Sequence, residues 1–268
     1  MAARRSPTKA FLRRLRRRPG HTFAVGLLAL GGVWLWSQRP SPHASTALKG
    51  VTVVIDPGHG GADPGAVCGG VAEAALTYRT AATLARVLQD RGAKTVFTVR
   101  SASLTESGEP RLPRDAAAAL SPGRVLQSGK VDKAGFYARA DLAAREWDAR
   151  RGPVVFLSVH YDSRLPDESM RGSHALWDIA SGPPSRLAAS VARRIARARL
   201  CGDFPPSPVS QKLGVIHASR NPVPERVLVE CAVLSNAEDR ASAQNPVWRE
   251  AFCNLLADAI EDTFRLRR

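Results

Sequence analysis

Four side chains in this chain could together activate a water molecule: His59, Glu73, His160 and Glu230. Two imidazoles and a carboxylate form a donor set for a catalytic zinc ion, which takes three protein ligands and keeps one position open for water. A second carboxylate nearby would serve as general base. Placement along the chain strengthens the set. Three of the four stand where a short apolar run changes character within a residue or a few: VTVVI is followed by Asp56, Pro57, Gly58 and His59, VVFLSVH ends at His160, and RVLVE ends at Glu230. Such runs read as buried strands. In an open α/β sheet, ligands bind in the crevice outside the carboxyl ends of the strands, so three such endings can converge. Glu73 opens the amphipathic run EAALTYRTAATLARVLQDRG and falls on the first helical turn after a glycine-rich loop. By residue type alone, a strand-end histidine is more often a hydrogen-bonded structural residue, and that alternative stays open at this point.

The elements needed to hold these residues predict an α/β fold: a single twisted mixed sheet flanked by helices, preceded by an N-terminal membrane-targeting segment. KTVFTVR, GSHALW and KLGVI read as further strands, with RVLVE closing the sheet. FYARADLAAREWDARR and PSRLAASVARRIARARL read as helices, and Asn245 caps a last one through PVWREAFCNLLADAIEDTF. Residues 101–135 break the alternation with Pro110, Pro113, Pro122 and several glycines, and are expected to form an insertion with a short helix around DAAAAL. A surface elaboration is favoured there over a lid. Asp162 and Ser163 are expected to support the metal ligands or to cap a turn, and His174 and His217 to have structural roles at the surface or along a substrate groove. The chain has no internal repeat, and GHGG lacks the GxGxxG phosphate-loop pattern.

IDPGHGGADPGA followed by Glu73, then FLSVHYDS, then VLVECAVLSNAEDR resemble the three signature blocks of the zinc-dependent N-acetylmuramoyl-L-alanine amidases that cleave peptidoglycan. The resemblance spans about residues 51–262, with the blocks in the family's order. It implies that His59, Glu73 and His160 hold zinc and that Glu230 is the catalytic glutamate. It also implies hydrolysis of the amide between N-acetylmuramic acid and the L-alanine of the stem peptide. Arg139 with Ala143 matches the family's RxxxA pattern. The chain departs where the family has Gly-Phe after the catalytic glutamate: here stand Cys231, Ala232 and Val233, which bears on the shape of the substrate pocket. Some members cover the zinc with a helix inserted after the second histidine block. Here RLPDESMRGS is too short for one. Two rivals remain: a peptidoglycan-binding module of this fold without catalysis, and a zinc peptidase acting on stem peptides.

Charge is uneven along the chain. The net charge is +15, but residues 1–39 hold nine Lys or Arg and no acid, which leaves the remainder at +6. An arginine-rich start followed directly by FAVGLLALGGVWLW is a membrane-targeting arrangement and not a nucleic-acid-binding one. Residues 1–20 are thus expected to be a basic cytoplasmic segment, 21–36 a signal anchor or signal-peptide core, and 37–50 a linker to a catalytic domain over 51–268. The anchored form is favoured, with the body on the periplasmic or extracytoplasmic face of the inner membrane. Cys68, Cys201, Cys231 and Cys253 lack CxxC spacing, which argues against a cysteine zinc site. A disulfide among them is compatible with export, with no pairing preferred.

Overall fold

Strand β1 (Thr52–Pro57) is buried along nearly its whole length, which fits its β-branched composition and its place inside the sheet. The protein is described by a computed structural model over residues 46–60, 63–99 and 133–265. The expected basic segment, the signal anchor, the start of the linker and residues 101–132 of the insertion, with its DAAAAL helix, lie outside the described residues.

After β1 come a small hairpin, β2 (Val67–Cys68) and β3 (Val71–Ala72), and helix α1 (Glu73–Asp90). Then follow β4 (Lys94–Phe97), α2 (Lys133–Asp148), β5 (Val154–Asp162) and β6 (His174–Asp178). The chain continues through α3 (Arg186–Arg197), β7 (Val209–Gln211), β8 (Glu225–Val233), α4 (Ala237–Gln244) and α5 (Pro246–Arg265). The main sheet runs β4-β1-β5-β8-β6-β7. Its first four strands are parallel, and β6 with β7 runs antiparallel to them. The expected mixed α/β sheet flanked by helices is therefore present. RVLVE does not close it: β8 lies inside the sheet between β5 and β6, where it can be buried on both faces.

Side chains alternate across the sheet because successive residues of a strand point to opposite faces. Val53, Ile55, Val155, Leu157, Val159, Val227 and Val229 pack with Leu84 and Leu88 of α1, Val191 and Ile195 of α3, and Leu256 and Ile260 of α5. Val54, Val154, Phe156, Leu176 and Leu228 point the other way, toward Ala143 of α2 and the loop residues Val215, Ile216 and Val223. Along this second face the rows change character toward the carboxyl ends of the parallel strands. A row of Asp56, Ser158, Leu228 and Leu176 is followed by one of His160, Glu230 and His174.

KLGVI is not a strand; β7 lies just before it, at Val209–Gln211. Val215 and Ile216 are buried in a turn, and side chains take the place of a strand partner. Asn221 Nδ2 donates to the Val215 carbonyl at 3.1 Å and Arg226 Nε to that of Ile216 at 2.8 Å. Helix α4 is an addition to the sequence reading. Asn236 caps it by accepting from the Glu238 and Asp239 amides. Asn245 opens α5 as expected, accepting from Val247 N at 2.8 Å. Between Asp162 and His174 the chain makes turns without a helix. Among the described residues, no helix is long and apolar enough to cross a membrane.

Candidate metal centre

His59, Glu73 and His160 meet at the carboxyl end of the parallel strands, each with a donor atom within 4.8 Å of the others. His59 follows the end of β1, Glu73 is the first residue of α1, and His160 lies near the end of β5. Glu73 bridges the histidines: Oε2 is 3.1 Å from His59 Nε2 and Oε1 is 3.1 Å from His160 Nδ1. Its remaining lone pairs accept from Ala66 N and Tyr161 N, each at 3.0 Å. The carboxylate is nearly buried whereas the imidazoles stay 23% and 15% exposed, so the cluster opens to solvent past its histidines. A tetrahedral zinc with bonds of about 2.1 Å wants donors roughly 3.4 Å apart. Two of the three spacings already approach that, and the donor types suit the ion.

Two glycines leave room for this geometry. A Cβ on Gly58 would run into the His160 ring, and one on Gly65 would lie 2.6 Å from Glu73 Oε2 and 2.7 Å from His59 Cδ2. Replacing Gly58 with alanine should therefore push His160 off its position without disturbing the core. Zinc titration of Gly58→Ala is expected to show affinity reduced by at least about 10-fold with thermal stability near wild type; unchanged affinity would mean that His160 does not need this space.

The β1–α1 loop is held from beneath. His59 has a positive φ of 61°, a conformation that costs a non-glycine residue energy and has to be supported by its surroundings. Arg139 of α2 supplies support by donating to the Pro57 carbonyl at 2.5 Å, the His59 carbonyl at 2.6 Å and Asp56 Oδ1 at 2.9 Å. Asp56, 1% exposed, also accepts from Ser158 Oγ at 2.6 Å and from Thr98 Oγ1. Arg139 is thus tied to the loop that carries a candidate ligand. The residue that orients His59 is Asp63, whose Oδ2 lies 2.9 Å from Nδ1 while Oδ1 accepts from Gly65 N at 3.0 Å. A carboxylate behind a ligating imidazole fixes its tautomer and raises its basicity.

Asp63 is not among the residues singled out in the sequence, although a carboxylate four residues after a ligand histidine was the available signal. Asp162 and Ser163 were expected to support the ligands or to cap a turn, and the contact they make is of the second kind, Asp162 Oδ1 accepting from the Ser163 amide at 2.7 Å. Asp162 pairs with Arg164, and Ser163 Oγ lies 3.6 Å from Cys68 Sγ. His217 bonds Ser219 on a distant loop. His174 is not a surface residue: it is 3% exposed and stacks on Phe204 with ring centroids 3.8 Å apart. All four cysteines are free thiols.

The local electrostatics suit a cation. Burial opposes charge on His59, but the Asp63 and Glu73 carboxylates outweigh it and raise its pKa to about 10. Burial likewise opposes charge on Glu73, yet hydrogen bonds from His160 and His59 hold it well below the usual carboxylate range. A metal binding between these groups would compete with the proton that the carboxylates favour on His59. Glu230 sits beside His160 in the sheet register. Burial first, then the Glu73 and Asp162 carboxylates, push its pKa well above that of an ordinary glutamate. The sheet and helix ends therefore bring together all four residues singled out in the sequence.

Comparison with known proteins bears on the family and the fold. The family described as N-acetylmuramoyl-L-alanine amidase matches residues 53–262. The fold is similar to that of the N-acetylmuramoyl-L-alanine amidase from Clostridium difficile 630, with 16% identity, a TM-score of 0.59, and coverage of 82% of this chain and 100% of that one. It is also similar to the catalytic domain of CwlV, the N-acetylmuramoyl-L-alanine amidase from Bacillus (Paenibacillus) polymyxa var. colistinus, at 21% identity, TM-score 0.56, and 79% and 96% coverage. AmiC2 of Nostoc punctiforme, another such amidase, gives 20% identity, TM-score 0.57, and 82% and 99% coverage. Against curated protein sequences the chain has no match. With most of its length inside the family match and the fold in agreement, the chain belongs to the N-acetylmuramoyl-L-alanine amidases, enzymes that hydrolyse an amide bond of peptidoglycan.

Proposed function

We propose that this enzyme is a zinc-dependent hydrolase that cuts the amide between N-acetylmuramic acid and the L-alanine of the stem peptide, with His59, Glu73 and His160 as zinc ligands and Glu230 as general base. The observation that carries this reading is the register of β5 with β8, which seats Glu230 directly beside His160, one member of the His-Glu-His cluster. Zinc held there by His59, Glu73 and His160 would supply Lewis-acid polarisation of the amide carbonyl and make the attacking water more acidic. The protein's own residues provide the rest. Asp63 holds the His59 ring, Arg139 holds the backbone of the loop, and Glu73 is braced by the Ala66 and Tyr161 amides. Glu230 takes the proton of the attacking water and returns it to the departing alanine nitrogen. A carboxylate beside the cluster suits both of these proton transfers, because it can accept the proton and then give it back.

The arginine-rich start and the apolar run after it support a placement in which residues 21–36 anchor the chain and the catalytic body faces the cell wall. The decisive experiment is product analysis on purified peptidoglycan. The zinc-loaded enzyme is expected to release intact stem peptides with a new L-alanine amino terminus, leaving the glycan uncut. Shortened peptides would instead identify a peptidase, and zinc binding without any product would identify a binding module.

A further inference from the structure

His174 was expected to be structural, and its surroundings indicate more. It faces Glu230 as the antiparallel register partner on β6, so the row across three adjacent strands reads His160, Glu230, His174. Residues directly opposite one another on neighbouring antiparallel strands project to the same face with Cβ atoms about 4.5–5.5 Å apart. The two side chains are therefore neighbours. Each ends in a buried polar atom without a hydrogen-bond partner: Nδ1 of His174 and Oε2 of Glu230. Two such orphans on adjacent residues are costly apart and complementary together. The other contacts of the imidazole fix its place. Phe204 stacks on one face of the ring, and Asp162 Oδ2 lies 3.8 Å from Nε2, beyond hydrogen-bond reach, so the ring proton is free to sit on Nδ1. Burial lowers the pKa of His174 to about 4, so it remains neutral at the enzyme's working pH.

We infer that His174 is a positioning residue for Glu230: a proton on Nδ1 can be donated to Oε2, a bond that the register brings within a small side-chain rotation and that the structure does not itself contain, and it would hold the carboxylate in the orientation needed to handle the proton of water. The proton has to lie on Nδ1, because the carboxylate must be free of one to accept it from water. This rests on Glu230 acting as the base. His174 is not one of the candidate ligands, and it acts through the carboxyl alone. The arrangement also explains why a histidine, costly to bury, stands at a sheet position where an apolar residue would pack against Phe204 as well.

Three substitutions separate this role from packing. Asn places an amide near the Nδ1 position, where it can donate or accept, but lacks a ring. Phe keeps the ring and the stack on Phe204 but has no polar atom. Gln carries its amide near the Nε2 position. With zinc content and thermal midpoint measured for each, His174→Phe and His174→Gln are expected to lower kcat on the order of 10- to 100-fold with KM little changed, and His174→Asn to recover most of the loss. Activity that follows the ring, with Phe active and Asn inactive, would overturn the inference, as would wild-type kcat in His174→Phe. A second measurement is independent of turnover. In metal-free protein labelled with ¹⁵N-histidine, the Nδ1 resonance of His174 should move when Glu230 is replaced by leucine; an unchanged resonance would show that the two are not paired. Inactivity of the wild-type enzyme on peptidoglycan, or full activity of Glu230→Gln, would count against the proposed function, and the resonance measurement would still decide the pairing.

Discussion

Glu230→Gln should bind zinc as tightly as the wild type and lose on the order of 10²- to 10⁴-fold in kcat, the usual cost of removing a general base. The amide is close to isosteric with the carboxyl and reaches the same surroundings, so the sheet register and the neighbouring cluster stay as they are. It can still offer a hydrogen bond across the row to His174. It cannot accept the water's proton and pass it on. Zinc content by elemental analysis together with turnover on muropeptides checks both halves of the expectation. If zinc were lost along with activity, Glu230 would be a ligand, and the division of labour between the cluster and the base would have to be redrawn.

His160→Ala should act in the opposite order, losing the metal first and activity as a consequence. One donor of three disappears, and Glu73 loses one of the two imidazoles that hold its carboxylate ionised. Zinc affinity is expected to fall by at least about 100-fold, with turnover falling in step at limiting zinc and recovering only in part at high zinc. Chelation of the wild-type enzyme should likewise abolish turnover, and readdition of zinc should restore it. Full zinc content and full turnover in His160→Ala would remove this cluster from consideration as the centre.

The residues of the candidate site could be read from the sequence because each marks an abrupt change. An apolar strand gains nothing in packing from a histidine or glutamate at its end, and Glu73 begins a helix whose amphipathic period is plain. Convergence then follows from parallel strands sharing one carboxyl end. The environment of the site was harder to read. Asp63 lies in a glycine-rich loop where periodicity carries no information, and only its contact with His59 gives it a role. His174 looked like a surface residue because nothing local tells that Phe204, thirty positions on, will cover it. KLGVI read as a strand because its apolar residues are indeed buried, but Asn221 and Arg226 satisfy its carbonyls where a neighbouring strand was assumed. The hairpin of β2 and β3 has two residues per strand, too few for any pattern. Helix α4 is polar and short, and its one signal was the cap: Asn236 with an acidic residue three positions later.

The four free thiols have a practical consequence. Cys68, Cys231 and Cys253 are buried, whereas Cys201 is partly exposed on the loop that carries Phe204. The Cys201 carbonyl accepts from the Phe204 amide at 3.0 Å, so the thiol is joined by a single turn to the ring that covers His174. Burial raises the Cys201 pKa somewhat, which slows alkylation at neutral pH and calls for mildly alkaline labelling. A fluorophore or spin label coupled to the native protein would therefore attach at this one place, a single turn from the ring that stacks on His174, without an engineered cysteine.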